Sequence, residues 1–318
     1  MRALTLAELA QALAAEDNFV IFTHRRPDGD TIGCAVALCL GLRSLGKSAA
    51  VLENVQFTEK FRPYLSGLTC DAVPDGACIV AVDVAAKEQL TEAEVCYVNQ
   101  IAYSVDHHSG REFFASAGVV EPETAACGEI VLRLLREMQV AVTPRMAEAL
   151  YVAVSTDTGC FRFSNTTAET LRAAAFCKDC GADTFSVNQV MFLTKRPARL
   201  KLEAFLTETT EFYADGMIAI SAITPEIRTK LGITEDDIDD ISGFGREIAG
   251  VEIAAMLRQE GTRGKISVRT SPRYDAAKIC AVLGGGGHRA AAGATVDGGI
   301  EGAKEAILRA LKETGAML

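Results

Sequence analysis

The stretch FVIFTHRRPDGDTIG, residues 19–33, joins a short apolar run to a polar loop that leads into a long apolar segment. Residues 19–23 have the composition of a β-strand, and residues 31–45 have the length and apolar spacing of a helix. This order predicts a buried strand that ends in polar side chains before a helix begins. The loop carries one imidazole and two carboxylates, those of His24, Asp28 and Asp30.

The same alternation of strand and helix continues along the first half of the chain. Spaced leucines from Leu4 to Leu13 predict a helix, and Thr143 followed by Pro144 predicts the start of another helix over residues 145–155. Strands buried on both faces and separated by helices are typical of a doubly wound, mainly parallel α/β sheet. The further predicted strands are Ala49–Leu52, Cys78–Val82 and Ile101–Val105.

Polar residues follow several of these strands at the point where each one ends. Ligands of open α/β sheets bind at the carboxyl edge, where such residues converge. The helix that begins near Arg145 also presents an aspartate, Asp157, at its carboxyl end. Asp83 follows the predicted strand Cys78–Val82. Asp106, His107 and His108 follow the predicted strand Ile101–Val105.

All four histidines of the chain lie in polar motifs rich in Gly or Asp. A single histidine is more often a surface or core residue, and Asp28 and Asp30 could belong to a turn and a helix cap. That interpretation explains neither His24 nor the acidic residues at the other strand ends. The four histidines are His24, His107, His108 and His288.

Three aspartates brought together from separate elements would repel one another without a cation. Oxygen ligands with one or two imidazoles suit Mn²⁺ or Mg²⁺, whereas thiolates select zinc. Two ions roughly 3.5–4 Å apart can generate a hydroxide that attacks phosphorus, which is the usual apparatus of phosphoesterases. The three aspartates are Asp30, Asp83 and Asp157.

Size and charge limit the class of protein. The chain has 318 residues, which allows two domains, and 49% of them are hydrophobic, so it can bury a core. A net charge of -10 argues against a broad grip on long duplex nucleic acid and leaves a small phosphorylated ligand open.

Residues 1–20 lack the basic start and unbroken apolar core of a signal peptide, and no run approaches 18 apolar residues. We therefore expect a cytoplasmic protein without a membrane partner. The ten cysteines are spread through apolar segments and are expected to be reduced. Cys177 and Cys180 have no second pair or nearby histidine, so helix packing is favoured over zinc binding.

Five motifs occur in an order and spacing that resemble the DHH/DHHA1 phosphoesterase superfamily. Within it, the compact two-domain form resembles the bifunctional oligoribonucleases (nanoRNases) that also dephosphorylate 3′-phosphoadenosine 5′-phosphate (pAp). The motifs are His24-Arg-Arg-Pro-Asp-Gly-Asp30, Asp83, Asp106-His107-His108, Thr156-Asp-Thr-Gly-Cys-Phe-Arg-Phe163 and Gly284-Gly-Gly-Gly-His288-Arg-Ala-Ala-Ala-Gly293.

The resemblance implies a role for each motif residue. His24, Asp28 and Asp83 would hold one Mn²⁺, with Mg²⁺ as the other candidate metal. Asp83 would bridge to a second ion held also by Asp30, His107 and Asp157. Asp106 would orient a histidine, and His108 would stabilise charge on the phosphate or protonate the leaving oxygen. Cys34 and the pair Cys127 and Gly128 depart from the usual residues and are expected to affect packing only.

The resemblance also divides the chain into a catalytic DHH domain over residues 1–185, a basic helical linker over 186–207 and a smaller α/β DHHA1 domain over 208–318. Residues 217–223 and 265–270 are predicted strands. Gly284–Gly287 would wrap an anion at a helix N-terminus. The candidate substrate-binding residues are Arg269, Gly285, Gly286, Gly287 and His288.

A local basic patch stands out from the acidic chain and is either part of the substrate site or a solvated strand face. It comprises Arg258, Arg263, Lys265, Arg269 and Arg273.

The expected activity is Mn²⁺-dependent hydrolysis of short oligoribonucleotides to mononucleotides, and of pAp to AMP, in a cleft between the domains. The resemblance leaves room for a homodimer. A cyclic-di-AMP or pApA phosphodiesterase is the first alternative, because those enzymes share every motif. A catalytically silent nucleotide-binding module would need a missing ligand, and none is missing. Pyrophosphatases use a different, lysine- and arginine-centred C-terminal signature.

Overall fold

A seven-stranded sheet forms the centre of the first of two units, Met1–Thr194 and Lys195–Leu318. The structure is a computed structural model that describes residues 2–108, 114–238 and 240–317. The pairings found between the described strands of this sheet are all parallel, in the order β1-β7-β6-β5-β2-β3-β4. The strands are β1 (Arg2–Ala3), β2 (Phe19–Phe22), β3 (Ala49–Leu52), β4 (Thr69–Cys70), β5 (Cys78–Val82), β6 (Ile101–Asp106) and β7 (Ala117–Val120).

The helices of this unit cover the sheet and connect its strands. Short 3₁₀ turns span Lys87–Gln89 and Val98–Gln100, and a π-helical segment spans Gln189–Leu193. The α-helices are α1 (Leu6–Ala15), α2 (Gly29–Ser44), α3 (Arg62–Leu65), α4 (Glu92–Val95), α5 (Cys127–Glu137), α6 (Pro144–Asp157), α7 (Ala168–Asp179) and α8 (Thr184–Asn188).

The predicted mainly parallel α/β fold is confirmed. Strand β2 shows why its sequence is apolar throughout, since Phe19 and Ile21 face the large helical core while Val20 and Phe22 face a smaller cluster on the other side. A strand buried on both faces cannot show polar alternation. Strands β3 and β5 have the predicted bounds, and β6 extends one residue further, to Asp106.

Helices α2 and α6 approach closely because small residues line their contact. A Cβ atom on Gly33 would lie 2.2 Å from the carbonyl oxygen of Ala149, and one on Gly29 would lie 2.3 Å from Oγ1 of Thr156. The beginning of α2 therefore lies beside the end of α6. Helix α6 begins as predicted, with the Thr143 side chain accepting from the backbone N–H of Met146, and it ends at Asp157.

The second unit contains a mixed six-stranded sheet in the order β12-β13-β11-β10-β9-β8, in which only β9 and β10 are parallel among the described pairings. Its strands are β8 (Glu211–Tyr213), β9 (Ile218–Ile223), β10 (Ile253–Glu260), β11 (Arg263–Thr270), β12 (Gly286–Gly287) and β13 (Ala291–Asp297). Its helices are α9 (Pro197–Thr209), α10 (Pro225–Leu231), α11 (Ala276–Ala281) and α12 (Gly299–Glu313), with a 3₁₀ segment at Ile241–Glu247.

The segment predicted as a helical linker, residues 186–207, is divided between the two units. It contains the end of α8, the π-helical turn and most of α9, and α9 starts at Pro197, where a proline is well suited to a first helical turn. In the described part of the chain, no helix combines the length and the apolar composition needed to span a bilayer.

Candidate metal centre

The carboxyl ends of three adjacent parallel strands, β2, β5 and β6, bring the predicted polar residues to one edge of the sheet. Asp28 follows β2 and caps α2, since its Oδ1 accepts the backbone N–H groups of Asp30 at 3.0 Å and Thr31 at 3.2 Å. The same Oδ1 lies 3.6 Å from Nε2 of His24. The helix-cap and metal-site interpretations of this loop are therefore compatible.

Asp83 lies at the centre of the group. Its backbone adopts the left-handed region, with φ 57°, which is strained for a residue other than glycine. Its two carboxylate oxygens face different histidines: Oδ2 is 3.9 Å from Nε2 of His24, and Oδ1 is 3.6 Å from Nε2 of His107. One carboxylate thus links two groups of potential ligands.

We call these groups site A and site B. Within each of them the potential ligand atoms lie within 4.8 Å of one another. In site B, Nε2 of His107 is 3.8 Å from Oδ2 of Asp30 and 3.6 Å from Oδ2 of Asp157. Site A comprises His24, Asp28 and Asp83, and site B comprises Asp30, His107 and Asp157.

Asp30 is held by the beginning of α5. Its carboxylate accepts the backbone N–H of Cys127 at 2.6 Å and of Gly128 at 2.9 Å, and the Cys34 thiol at 3.3 Å. The N–H groups at a helix N-terminus have no partner within the helix and stabilise negative charge. Cys34 contacts this proposed ligand through its thiol, whereas Cys127 and Gly128 contact it through backbone N–H groups that any residue except proline would supply, so the expectation that these three departures affect packing only stays a prediction.

The two neighbouring histidines are oriented by different partners. The Nδ1 of His107 is 3.0 Å from the carbonyl oxygen of Thr124, so its Nε2 faces site B. The Nδ1 of His108 is 2.8 Å from Oδ1 of Asp106, and that oxygen also accepts the backbone N–H of His107 at 2.9 Å. Asp106 thus orients the imidazole of His108, while the imidazole of His107 is held by a backbone carbonyl.

Burial and mutual repulsion raise the pKa values of the central carboxyls. Burial, opposed by His107, raises the pKa of Asp30 to about 6. Burial and the charge of Asp30 raise the pKa of Asp157 to about 7 and that of Asp83 well above its usual range. Burial lowers the pKa of His107, but the charges of Asp30 and Asp157 raise it by more.

At site A, burial raises the pKa of Asp28, but contact with His24 and the hydrogen bonds from the helix bring it down to about 2. For His24 itself, burial lowers the pKa while Asp28 and more distant carboxylates raise it, so that it ends above its usual value. Asp28 therefore carries a full negative charge next to its histidine.

These residues fit divalent cations. Oδ1 of Asp83 is buried and receives no hydrogen bond from any described residue, which is costly unless a cation pairs with it. The donor set consists of carboxylate oxygens and imidazole nitrogens without thiolate, which suits hard or borderline ions. The raised pKa values of Asp30, Asp83 and Asp157 show that their ionised forms are destabilised by burial and by one another, and a bound cation would stabilise those forms.

Two residues that influence this centre, one by a hydrogen bond and one only by its charge, were missed from the sequence. The carbonyl of Thr124 orients His107, and no side-chain pattern could identify a backbone group. Glu94 is 1% exposed, accepts the backbone N–H of Thr91 at 2.7 Å and contributes to the raised pKa of His24. Burial raises the pKa of Glu94 itself. The capping-box spacing of Thr91 and Glu94 could have identified this residue.

The glycine-rich segment of the second unit differs from its prediction. It leads into a strand and not directly into a helix: Gly286–Gly287 is strand β12, and it pairs with β13 (Ala291–Asp297) in a hairpin. His288 closes the turn, donating its backbone N–H to the carbonyl of Ala291 at 2.8 Å and accepting the N–H of Ala291 at 3.2 Å. The predicted helix N-terminus is therefore wrong. A Cβ atom on Gly285 would lie 2.1 Å from the carbonyl oxygen of Gly293, which explains why this position lacks a side chain.

Arg269 lies on β11 opposite Ala291, and Ala291 is hydrogen-bonded to His288. The candidate substrate residues Arg269 and His288 therefore lie in the same part of one sheet. The predicted basic residues of β10 and β11 share one face, with Arg258 opposite Lys265. Burial, and to a lesser extent the charge of Arg258, lowers the pKa of Arg269. The structure thus places several cationic groups on the sheet face that carries Arg269.

Comparison with known proteins agrees with this organisation. The model of the DHH family, N-terminal domain, matches residues 18–154, and that of the DHHA1 domain matches residues 216–316. A protein of Thermus thermophilus named bifunctional oligoribonuclease and PAP phosphatase NrnA is 32% identical over 94% of this chain and 91% of its own length.

Two further proteins are similar along almost the whole chain. An exopolyphosphatase-related protein of Bacteroides fragilis has the same fold, with a TM-score of 0.82, 23% identity and coverage of 97% of this chain and 95% of its own. A cyclic-di-AMP phosphodiesterase GdpP of Geobacillus thermodenitrificans is 25% identical over 95% of this chain, which spans 48% of that protein. On its motifs, its sheet order and its full-length similarity, the chain belongs to the DHH family and carries a DHHA1 domain in its second unit.

Proposed function

We propose that this chain is a metal-dependent phosphoesterase that hydrolyses short oligoribonucleotides to mononucleotides and pAp to AMP. The observation that carries the proposal is the position of Asp83, whose two oxygens face His24 of site A and His107 of site B. Such a bridging carboxylate suits a pair of ions, and paired ions serve phosphoryl chemistry. The relative from Thermus thermophilus, similar over nearly its whole length, is named for both of these activities.

The six residues of sites A and B would hold two Mn²⁺ ions, with Mg²⁺ as the alternative. When bound, such a pair lowers the pKa of water and neutralises the charge that develops on the phosphate. The residues themselves fix its position: Asp28 is held by the N-terminus of α2, Asp30 by that of α5, and His107 by the carbonyl of Thr124.

His108 would act on the substrate. Its Nδ1 is 2.8 Å from Asp106 and 3.6 Å from Oδ1 of Asp83, so the ring is fixed at the border of the metal centre. From there the imidazole would stabilise charge on the phosphate or give a proton to the leaving oxygen. Asp106 keeps the orientation of the ring.

Residues 1–185 form the catalytic domain in this proposal, residues 186–207 the linker and residues 208–318 the substrate-binding domain. A terminal phosphate or base of the nucleotide would be bound by Arg269, the backbone of Gly285–Gly287 and His288. The cationic face around Arg269 supports this assignment, since charge-assisted hydrogen bonds to phosphate are strong.

A second candidate is a cyclic-di-AMP or pApA phosphodiesterase. It is favoured by the similarity to the Geobacillus protein, which covers 95% of this chain. A silent nucleotide-binding module is disfavoured, because the described residues include all six proposed metal ligands in two compact groups.

One assay separates these functions. We would compare initial rates with Mn²⁺ for pAp, pApA, a short RNA, cyclic-di-AMP and pyrophosphate. We expect the highest rates with pAp and short RNA. A clear preference for cyclic-di-AMP would support the alternative, a preference for pyrophosphate would reject both, and no hydrolysis of any substrate by the metal-loaded protein would indicate a binding module.

A further inference from the structure

One short segment, residues 121–128, makes hydrogen bonds to two residues of site B. The carbonyl of Thr124 is 3.0 Å from Nδ1 of His107. A few residues further on, the backbone N–H groups of Cys127 and Gly128 donate to the carboxylate of Asp30 at 2.6 Å and 2.9 Å. The conformation of this segment therefore determines where an imidazole and a carboxylate of the same site lie.

The third residue of site B is connected to the same segment by Asn165, which lies between α6 and α7. Its side-chain Nδ2 donates to the carbonyl of Ala125 at 3.1 Å and to the carbonyl of Asp157 at 3.1 Å. The last carbonyls of a helix have no partner within the helix, and Asp157 is the last residue of α6. Both N–H bonds of this amide are thus used to join the end of α6 to residues 121–128.

The segment is anchored at its other end by a salt bridge. Arg133 of α5 donates from both terminal nitrogens to Glu121, at 3.2 Å and 2.5 Å. The hydroxyl of Thr124 donates to the same carboxylate at 3.2 Å, and the backbone N–H of Glu121 donates to the carbonyl of Asp106 at 3.1 Å. Residues 121–128 are therefore held at one end by this salt bridge and at the other by the beginning of α5.

Site A is held by different groups. Asp28 caps its own helix, and the side-chain Nδ2 of Asn54 donates to the backbone carbonyl of His24 at 3.2 Å. Asn54 thus has the same chemical role at site A that Asn165 has at site B: a neutral amide that hydrogen-bonds the backbone of a proposed ligand.

We propose that Asn165 is a positioning residue that sets the affinity of site B for its ion, and that it does so by joining Asp157 to the segment that holds His107 and Asp30. This inference rests on the proposed function, because it assumes that site B binds a metal. Residues of this kind, behind the ligands of a metal, typically change its affinity 10–100-fold when they are replaced.

The test measures metal binding by the full chain in the absence of substrate. Metal-free wild type, Asn165→Ala, Asn165→Leu and Asn54→Ala would be titrated with Mn²⁺ by equilibrium dialysis. We expect two ions per chain in the wild type. In both Asn165 variants we expect one ion to bind at least about 10-fold more weakly than in the wild type, while the other is retained. Asn165→Leu keeps the side-chain size and removes the donor, so the two variants separate a lost hydrogen bond from lost volume.

The identity of the weakened site is read from the histidines. The chain has four of them, so ¹⁵N-histidine labelling gives a simple imidazole spectrum. On titration with diamagnetic Zn²⁺, we expect the Nε2 resonance of His107 in the Asn165 variants to shift only at higher metal concentration, while that of His24 responds as in the wild type. In Asn54→Ala we expect the response of His107 to stay close to the wild type.

The inference would be overturned by unchanged affinity for both ions, by equal weakening of both, or by a delayed response of His24 in place of His107. The melting temperature of each metal-free variant shows whether weakening merely follows global destabilisation, and a loss that follows this temperature in all three variants also rejects the inference. If the wild type itself binds no metal, the proposed function fails, which is a distinct outcome.

Discussion

Oδ1 of Asp83 lies 3.6 Å from Nε2 of His107, while the other oxygen of the same carboxylate faces His24. Asp83 is 2% exposed and follows β5 in a left-handed backbone conformation. A buried carboxylate in that position is strained and poorly solvated, so a cation on each side is the simplest way to stabilise it.

The first prediction is that Asp83→Asn removes nearly all turnover. The amide keeps the size of the side chain but removes the charge shared by sites A and B, and losing such a group costs about 100-fold or more. Initial rates on pAp and the metal content of the variant measure the effect. Asp183→Asn, which changes an exposed helix cap in the same unit, is the matched control and should retain its activity. Residual activity of Asp83→Asn above about a tenth of wild type would contradict the bridging assignment.

The second prediction concerns the metal. EDTA should abolish activity, and added Mn²⁺ should restore it better than Zn²⁺, because the proposed ligands are carboxylates and imidazoles without thiolate. Rates after dialysis against chelator and after addition of each ion measure this. Full activity in excess EDTA would refute a metal-dependent reaction.

Several features of the site could be predicted from the sequence. Strand ends are readable because β2 and β5 are apolar along their length, and because an Asp or His occurs within two residues of the end of β2, β5 and β6. Parallel pairing then brings these residues to one edge. The groups that hold the ligands could not be predicted, because the carbonyl of Thr124 and the N–H groups of Cys127 and Gly128 belong to the backbone and carry no side-chain signature.

The fold shows a similar limit. Strands β1 and β4 have two residues each, too few for a periodic pattern. Strand β7 contains Gly118, and glycine is unfavourable in strands. Glycine is required there because a Cβ atom would lie 2.2 Å from the carbonyl oxygen of Ser104 on the neighbouring strand β6. This close approach is a tertiary contact, so the local sequence does not show it. Local composition likewise predicts a helix start at Gly286–Gly287, because the pairing of this segment with β13 is not visible in it.

The third prediction tests the contact between α2 and α6. Gly33→Ala should destabilise the protein by about 1–3 kcal/mol, because the new methyl group would overlap the backbone of Ala149. Gly41→Ala in the same helix is the control: its Cβ would meet only the end of the flexible Leu135 side chain. In Gly41→Ala, the gain in helix propensity from replacing glycine by alanine, about 0.5–1 kcal/mol, should offset much of the cost of displacing the Leu135 side chain. Urea unfolding of both variants measures the difference, and equal stabilities would show that α2 and α6 can separate without cost.

The fourth prediction is that the metal-free protein becomes more stable as the pH falls from about 8 to about 5. The pKa values of Asp157, about 7, and Asp30, about 6, lie above those of unfolded aspartates, so the folded state binds these protons more tightly. The raised pKa values of His24 and His107 act in the same direction, since the stability they provide is present below their unfolded pKa and is lost as pH rises. Below about pH 4 the trend should reverse, because Asp28 has a folded pKa of about 2.

Thermal or urea unfolding across this pH range, with and without saturating Mn²⁺, checks the fourth prediction. Bound metal should remove or invert the trend, because metal binding requires deprotonated carboxylates. Asp157→Asn should flatten the curve of the metal-free protein. A metal-free protein whose stability rises between pH 5 and pH 8 would contradict the raised carboxyl pKa values.

The last prediction separates substrate selection from chemistry. His288 closes the β12–β13 turn in the second unit, whereas every proposed metal ligand lies in the first unit. His288→Ala should therefore keep two ions per chain by elemental analysis. Removing a hydrogen bond to a charged phosphate, worth about 1.5–3 kcal/mol, should lower kcat/KM for pAp roughly 10- to 100-fold.

The comparison with a simple ester makes this prediction decisive. Bis-p-nitrophenyl phosphate has no nucleotide for His288 to hold, so His288→Ala should lose much less activity on it than on pAp. Because binding energy from a distant group can also position the scissile bond, we expect kcat for pAp to fall while KM rises. Should the variant lose metal, or lose activity equally on both substrates, His288 would belong to the reacting centre, and the assignment of chemistry to one unit and selection to the other would be wrong.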